Sequence, residues 1–234
     1  MKIPISPRLK AIADEVILTG TVADIGTDHG YLPVYLVKRK GLSRVIATDV
    51  NQDPLNKARR VIQLYKLQPH IDLRLGDGLE VLQPGEASTI IIAGMGGVLI
   101  SELLDKGSAT AQKAEKRIRQ AVQGRKELRR YLLNKGYEII KEKLIQEKHR
   151  FYVVLSAHFM NKPVQQVDPL TLEIGAFILQ QDPAVTQAFL RRKIRITENK
   201  RRGMLRSETV EKEKIIETDL LLEKLKEALA WVIK

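Results

Sequence analysis

The first 160 residues alternate short apolar runs with amphipathic stretches of helical period. The apolar runs predict strands at residues 21–25, 44–49 and 88–94, and an alternating pattern predicts a further strand at 71–75. Apolar residues recurring every three to four positions predict helices, at residues 53–66, 97–105 and about 124–135. Strands that alternate with helices at this spacing predict an α/β fold with a doubly wound, mostly parallel sheet. Two further strand patterns, 137–145 and 151–159, are expected to close it as antiparallel neighbours.

The pattern changes after Lys162-Pro163. No strand pattern continues beyond Asp168, whereas residues 184–205 and 208–233 each show the period of a long helix. The short connection between them predicts an antiparallel α-helical hairpin, with an apolar stripe along its second helix. We therefore divide the chain into an α/β domain, residues 1–162, and a helical coiled-coil domain, residues 163–234.

Composition narrows the class of protein. The chain has 234 residues and no cysteine, which excludes a disulfide framework, a thiolate zinc site and a cysteine nucleophile. The N-terminal residues lack the apolar segment of a signal peptide, and no apolar run is long enough to cross a bilayer. We expect a cytoplasmic protein without a metal or a membrane partner, either a monomer or a weak homodimer.

Charge indicates the kind of partner. The formal net charge is +12, and residues 113–150 carry thirteen basic against five acidic side chains, while 191–206 carry eight against one. Clustered positive charge favours a nucleic acid, although a basic solvated surface is the alternative. The side chains expected to contact phosphates are Arg125, Lys126, Arg129 and Arg130, and Arg191, Arg192, Lys193 and Arg195.

The sequence DIGTDHG, residues 24–30, lies where the first strand meets the first helix, which is the position of a nucleotide-binding turn. Gly26 allows the backbone to turn tightly and to approach a ligand. Asp28 replaces the central glycine of the usual motif, and its carboxylate would repel a pyrophosphate. S-adenosylmethionine has no phosphate and carries two positive groups, so this turn favours it over a dinucleotide.

Three more strand ends carry suitable residues. Asp49 follows the second strand, where a carboxylate accepts hydrogen bonds from ribose hydroxyls; the alternative is a cap for the next helix. Asp77 follows the third strand and either accepts the adenine amino group or is a turn residue. The sequence AGMGG, 93–97, ends the most apolar strand, and its glycines imply close approach of a ligand to the backbone.

These residues together resemble one family. The segments that carry the resemblance are SPRL (6–9), DIGTDHGYLP (24–33), DGLEVL (77–82) and AGMGGVLI (93–100). They are similar to the bacterial tRNA adenine-N1 methyltransferases of the TrmK type, which modify adenine 22. The resemblance implies a Rossmann-like class I methyltransferase domain, a C-terminal helical coiled-coil domain, S-adenosyl-L-methionine as cofactor and tRNA as partner.

The resemblance also implies roles for single residues. Asp28 corresponds to the proposed catalytic residue. The implied cofactor shell is Asp24, Gly26, His29, Asp49, Val50, Asp77, Gly78, Ala93, Gly94 and Met95. The chain departs from the family at Gly30, usually alanine, and at residues 117–124, where RIRQAVQG replaces an apolar strand ending in Leu-Gln-Pro. This second departure puts the edge of a fifth strand, and any substrate contact there, in doubt.

The chemistry of the residues agrees with this reaction. Adenine N1 has a lone pair and needs no strong base, so catalysis would be mainly positioning for in-line transfer. A carboxylate such as Asp28 could accept a hydrogen bond from the N6 amino group and stabilise the cationic product. The alternatives are methylation of another RNA or a small molecule, and a noncatalytic RNA-binding protein.

Overall fold

A seven-stranded sheet in the order β3-β2-β1-β4-β5-β7-β6 forms the centre of the protein. The computed structural model describes residues 3–121, 123–207 and 209–233, without the side chains of 116–120. The strands are β1 Val22–Ile25, β2 Val45–Asp49, β3 Ile71–Leu75, β4 Thr89–Met95, β5 Lys116–Ala121, β6 Tyr137–Glu147 and β7 Arg150–Phe159. The helices are α1 Pro7–Asp14, α2 Tyr31–Lys40, α3 Gln52–Leu64, α4 Gly97–Lys106, α5 Ser108–Lys113, α6 Arg125–Asn134, α7 Pro169–Ile174, α8 Pro183–Leu205 and α9 Lys212–Ile233, with a 3₁₀ turn at Ile178–Gln180.

The central parallel strands β1, β2 and β4 are buried on both faces, as their apolar sequences predict. All residues of β1 and β2 are buried, and Ile90, Ile91 and Ile92 of β4 are at most 1% exposed. The chain moves outward from β1 to β2 and β3, then returns to place β4 on the other side of β1. This reversal creates a crevice at the carboxyl ends of β1 and β4, where ligands of doubly wound sheets bind.

The β5 strand lies inside the sheet, between parallel β4 and antiparallel β7. Residues 117–121 of the segment that departs from the family therefore form a fifth strand, which lies between two neighbouring strands and not at an edge of the sheet. Any substrate contact by the side chains of 116–120, or by Val122, lies outside the described residues. The antiparallel β6–β7 pair completes the sheet, as the sequence predicts.

The C-terminal helices form an antiparallel pair. Asp168 and Asp182 cap α7 and α8 by accepting hydrogen bonds from the backbone N–H three residues on. Along the pair, Gln187 donates to the carbonyl of Val232, while Arg201 near the other end of α8 binds Asp219. The first contact joins the start of α8 to the end of α9, and the second joins the end of α8 to the first half of α9. The two helices are therefore antiparallel, which confirms the predicted hairpin.

Two details of the hairpin differ from the prediction. The second helix begins at Lys212 and not at residue 208, which itself lies outside the described residues. The predicted apolar stripe is only partly buried: Leu222 and Leu225 are in the core, whereas Leu220 is 48% exposed. Periodicity locates an apolar face, but how much of that face is covered depends on the elements that pack against it.

The hairpin shares a hydrophobic core with the sheet. Phe189 and Leu190 of α8 and Leu225 of α9 pack with Leu144 of β6 and Val153 of β7. The helical region is thereby attached to the antiparallel end of the sheet. In the described parts of the chain, no helix is both long and apolar enough to cross a membrane.

Candidate cofactor and substrate site

A cavity of about 550 Å³ opens at the carboxyl ends of β1, β2 and β4, within the size range of small-molecule sites. We refer to it as the strand-end cavity. All eleven residues predicted for catalysis and cofactor binding line it: Asp24, Gly26, Asp28, His29, Asp49, Val50, Asp77, Gly78, Ala93, Gly94 and Met95. The structure thus brings together four segments that are separated by up to 71 positions in the sequence.

The turn after β1 forms the floor of the cavity. Its backbone N–H groups at Gly26 and Thr27 both donate to the carbonyl of Thr48, at 2.9 Å each, which fixes the turn against β2. Gly26 has φ +75°, and a Cβ there would lie 2.2 Å from Cε of Met95. The positive φ favours glycine at this position, and a side chain there would also require the flexible end of Met95 to move.

Asp28 has φ +51°, a conformation that favours glycine, asparagine and aspartate among the residues. This explains how an aspartate can occupy the central glycine position of the motif without changing the path of the backbone. Its side chain is 65% exposed at the mouth of the cavity, with its Oδ2 3.6 Å from Nε2 of His29. The carboxylate is therefore accessible to a molecule that enters from solvent.

Asp49 at the end of β2 is 9% exposed and holds two turns together. Its Oδ1 accepts from the backbone N–H of Asn51 at 3.0 Å, and its Oδ2 accepts from the N–H of Asp28 at 3.4 Å. Asn51 is the N-cap residue of α3, so Asp49 does not cap that helix. Val50 follows it and is 60% exposed at the cavity wall.

Asp24 is the buried acid of the site. Burial, with a smaller contribution from the negative charge of Asp49, raises the pKa of Asp24 to about 6. The carboxylate is 4% exposed, which makes its negative charge costly without a cation nearby. A positively charged ligand in the cavity would remove part of that cost.

Asp77 follows β3 and also lines the cavity. Its Oδ2 accepts a hydrogen bond from Nζ of Lys106 at 3.2 Å, and both side chains are about half exposed. A carboxylate has further lone pairs, so this contact leaves Asp77 able to accept from a ligand. Gly78 beside it has φ +58°, and a Cβ there would lie 2.6 Å from Leu103.

The AGMGG segment, 93–97, forms the wall of the cavity at the end of β4 and leads into α4, whose Leu99 and Leu103 also line the cavity. The pairing of β4 with β5 shifts register between Ala93 and Met95, where Gly94 has φ +81°. Gly97 begins α4, and its N–H donates to the carbonyl of Gln123 at 2.8 Å. The glycines of this segment therefore serve both the irregular backbone at the cavity and close packing behind it.

Sequence reasoning did not assign Arg8 and Leu9, which also line the cavity. Both belong to α1, and Cζ of Arg8 lies 5.2 Å from the ring centroid of Tyr152 in β7. Both residues belong to the segment SPRL, 6–9, whose resemblance to the family could have indicated a role in the site. Only the packing of α1 against the far end of the sheet shows that this segment reaches the cavity.

The predicted nucleic-acid contacts have different environments. Arg130, Arg191, Arg192 and Arg195 are exposed, whereas Arg125, Lys126 and Lys193 are partly buried. Arg125 donates to the carbonyl of Phe151 at 3.0 Å, and Lys193 forms an ion pair with Glu173.

The prediction for Arg129 is wrong. It is 2% exposed, forms a 2.7 Å ion pair with buried Glu142, and donates to the carbonyls of residues 172, 173 and 174. Its guanidinium therefore fastens α7 to α6 and the sheet, and none of it is available to an RNA phosphate.

Comparisons with known proteins give consistent results. Residues 5–155 match the family model described as a methyltransferase domain. The chain is 34% identical to tRNA (adenine(22)-N(1))-methyltransferase of Bacillus subtilis strain 168 over 188 residues, which cover 79% of each chain.

Solved structures extend the similarity over nearly the whole chain. The crystal structure of the Bacillus subtilis M1A22 tRNA methyltransferase TrmK has a TM-score of 0.85 at 30% identity, covering 97% of this chain and 100% of that one. A Streptococcus pneumoniae protein in complex with S-adenosyl-L-methionine has a TM-score of 0.84 at 26% identity, with the same coverage.

Proposed function

Because the chain belongs to the tRNA (adenine(22)-N1)-methyltransferase family, we propose that it transfers a methyl group from S-adenosyl-L-methionine to N1 of adenine 22 in tRNA. The observation that carries this proposal is the strand-end cavity, a pocket with a buried carboxylate at a glycine turn and an exposed carboxylate at its mouth. In this reading residues 1–162 bind the cofactor and residues 163–234 contribute to tRNA binding.

The described residues fit S-adenosylmethionine. Buried Asp24 matches a positively charged group, and Arg8 supplies a guanidinium that matches the carboxylate of the methionine moiety. Asp49 lies where acidic residues of doubly wound folds hold a ribose. Asp77 accepts from the adenine amino group while it keeps its contact with Lys106. Bound there, the cofactor supplies a methyl group on a sulfonium, which is already activated for transfer.

Asp28 has the role of orienting the acceptor base. Its exposed carboxylate at the cavity mouth accepts a hydrogen bond from the N6 amino group of the target adenine. Methylation of N1 makes the base cationic, so this contact strengthens as the reaction proceeds. The backbone N–H of Asp28 donates a hydrogen bond to Oδ2 of Asp49. This bond holds the turn against the cofactor shell and keeps the carboxylate of Asp28 close to it.

A labelling experiment tests the proposed function. The protein is incubated with methyl-labelled S-adenosylmethionine and an unmodified tRNA transcript, and the labelled nucleoside is mapped. We expect N1-methyladenosine at position 22, and no label on a matched transcript with guanosine at that position. Label without tRNA would indicate a small-molecule methyltransferase, whereas tRNA binding without label would indicate a noncatalytic RNA-binding protein.

The variant Asp28→Ala tests the role of the acceptor carboxylate. We expect its kcat to fall by at least about 100-fold while the Kd for S-adenosylmethionine changes little, because Asp28 acts on the base. Asp53→Ala is the matched control, since Asp53 is another exposed aspartate of the same edge outside the cavity lining. Normal turnover of the Asp28 variant, or an equal loss in the control, would contradict the assignment.

A further inference from the structure

A second cavity, of about 300 Å³, lies where the β6–β7 turn meets the start of α6 and the side of α8. Four basic residues from three separate elements line it, together with aromatic side chains of β7. We call it the basic niche, and its cations are Arg125, Arg150, Arg192 and Lys193. In the sequence, Arg125 belongs to one basic cluster and Arg192 and Lys193 to another, and no pattern marks Arg150.

Two arginines of the basic niche, Arg125 and Arg192, are oriented by hydrogen bonds to neutral backbone carbonyls, which leave their positive charges unbalanced. Arg125 donates to the carbonyl of Phe151 at 3.0 Å, and Arg192 donates to the carbonyl of His149 at 3.3 Å. Both carbonyls belong to the β6–β7 turn and the first residues of β7. A carbonyl orients a guanidinium but leaves its full charge unbalanced.

Carboxylates are too few to balance this group. Among the described residues, one carboxylate, Glu173, forms an ion pair with a cation of the basic niche, and that cation is Lys193. Burial, followed by the positive charge of Arg129, lowers the pKa of Arg125; the carboxylate of Glu173 opposes this shift, and the charge of Arg192 adds to it. Arg125 is partly buried, and Arg150, Arg192 and Lys193 line the same cavity, so an anion bound there would offset the mutual repulsion of these cations.

The basic niche and the strand-end cavity are neighbours. Tyr152 lines the basic niche, and its ring centroid lies 5.2 Å from Cζ of Arg8, which lines the strand-end cavity. One tyrosine and one arginine therefore separate the two cavities. The two cavities are therefore close enough for one extended chain of nucleotides to occupy both, with a base in the strand-end cavity and its backbone in the basic niche.

We infer that the basic niche binds a backbone phosphodiester of the RNA close to the nucleotide that is methylated. This inference rests on the proposed function. Arginine is suited to the task because its planar fork donates two parallel hydrogen bonds to phosphate oxygens. Since a phosphate carries no base identity, the niche sets the register of the RNA, and the strand-end cavity selects the base.

The test compares two double variants of the full chain. Arg150→Ala/Arg192→Ala removes two exposed cations of the niche, and Arg39→Ala/Arg60→Ala removes two exposed cations from α2 and α3. Both lower the net charge equally. The Kd for tRNA is measured at several salt concentrations, with the Kd for S-adenosylmethionine and the melting temperature as checks on folding. Arg150→Lys/Arg192→Lys tests the fork geometry.

We expect the niche pair to weaken tRNA binding at least about 10-fold and the control pair less than about two-fold. The slope of log Kd against log salt should fall by about 0.7–0.9 for the lost phosphate contact. The lysine pair should restore the slope but only part of the affinity, because lysine keeps the charge without the fork. Equal weakening by the niche and control pairs, or an unchanged slope in the niche pair, would overturn the inference.

Wild-type methylation of the same tRNA, measured alongside, separates the two proposals. If the wild type methylates tRNA and the niche pair binds like the control, the inference about the niche is wrong and the proposed function stands. If the wild type binds tRNA through the niche but transfers no methyl group, the proposed function is wrong and the niche remains.

Discussion

Replacing Asp24 with asparagine should make the ligand-free protein more stable above pH 6. Burial raises the pKa of this carboxyl from 3.8 to about 6, so the folded state disfavours its charge. A difference of roughly two pK units corresponds to about 3 kcal/mol at neutral pH. Asparagine removes the charge and keeps nearly the same volume, so it recovers at most this amount.

The sign of the effect follows from proton binding. Between pH 3.8 and about 6 the folded protein holds the Asp24 proton more tightly than the unfolded chain does. The stability of the wild type therefore declines as pH rises through this window, and the full penalty remains above it. The advantage of Asp24→Asn should be small at pH 4 and should reach its plateau above pH 6.

Thermal unfolding of the ligand-free proteins at pH 4, 5, 6 and 8 measures this difference. At about 2–4 °C per kcal/mol for a chain of this size, we expect Asp24→Asn to melt up to about 6–12 °C higher at pH 8. Subtracting the difference at pH 4 removes any effect of the amide that does not depend on pH. A melting-temperature difference that is the same at pH 4 and pH 8 would refute the reasoning.

Cofactor affinity should change in the opposite direction, because a cation in the cavity needs the Asp24 charge. The variant should bind S-adenosylmethionine more weakly, and the wild type should release protons on binding near pH 6, which calorimetry in buffers of different ionisation enthalpy detects. Asp49→Asn is the control for the thermal unfolding experiment. Both Asp49 oxygens accept backbone hydrogen bonds, so that substitution should lower the melting temperature at pH 8.

Two further substitutions test buried contacts of the fold by urea denaturation. Arg129→Met should lower the unfolding free energy by about 3–5 kcal/mol because it leaves the buried charge of Glu142 unpaired, whereas Arg129→Met/Glu142→Leu should recover most of the loss. If the single and double variants were equally stable, the ion pair would have no such role. Gly97→Ala should cost about 1–3 kcal/mol, since its Cβ would lie 1.9 Å from the Gly124 carbonyl oxygen, whereas Gly203→Ala, with open space around it, should be neutral or stabilising. Equal stability of the two alanine variants would contradict this close approach of backbones.

The sequence alone predicts the strands β1 to β4, the turn after β1 and half of the residues that line the strand-end cavity. Parallel strands buried on both faces appear as unbroken apolar runs, so their bounds are predicted within one or two residues. The turn after β1 is equally local, because Gly26 and Asp28 are residue types that accept positive φ. Once the sheet is known to be parallel, its strand ends must meet at one edge, which brings Asp24, Asp49 and Asp77 together.

The tertiary structure alone decides what happens to the charged residues. Arg129 and Arg130 are neighbours in one basic cluster, yet the first is buried on Glu142 and the second is exposed. Nothing local distinguishes them, because the partners of Arg129 lie 13 to 45 positions away. Likewise Arg8 reaches the strand-end cavity, and Arg150 joins the basic niche, only because distant elements pack there. Apolar periodicity and turn conformation are local properties, whereas the environment of a charge depends on every element that surrounds it.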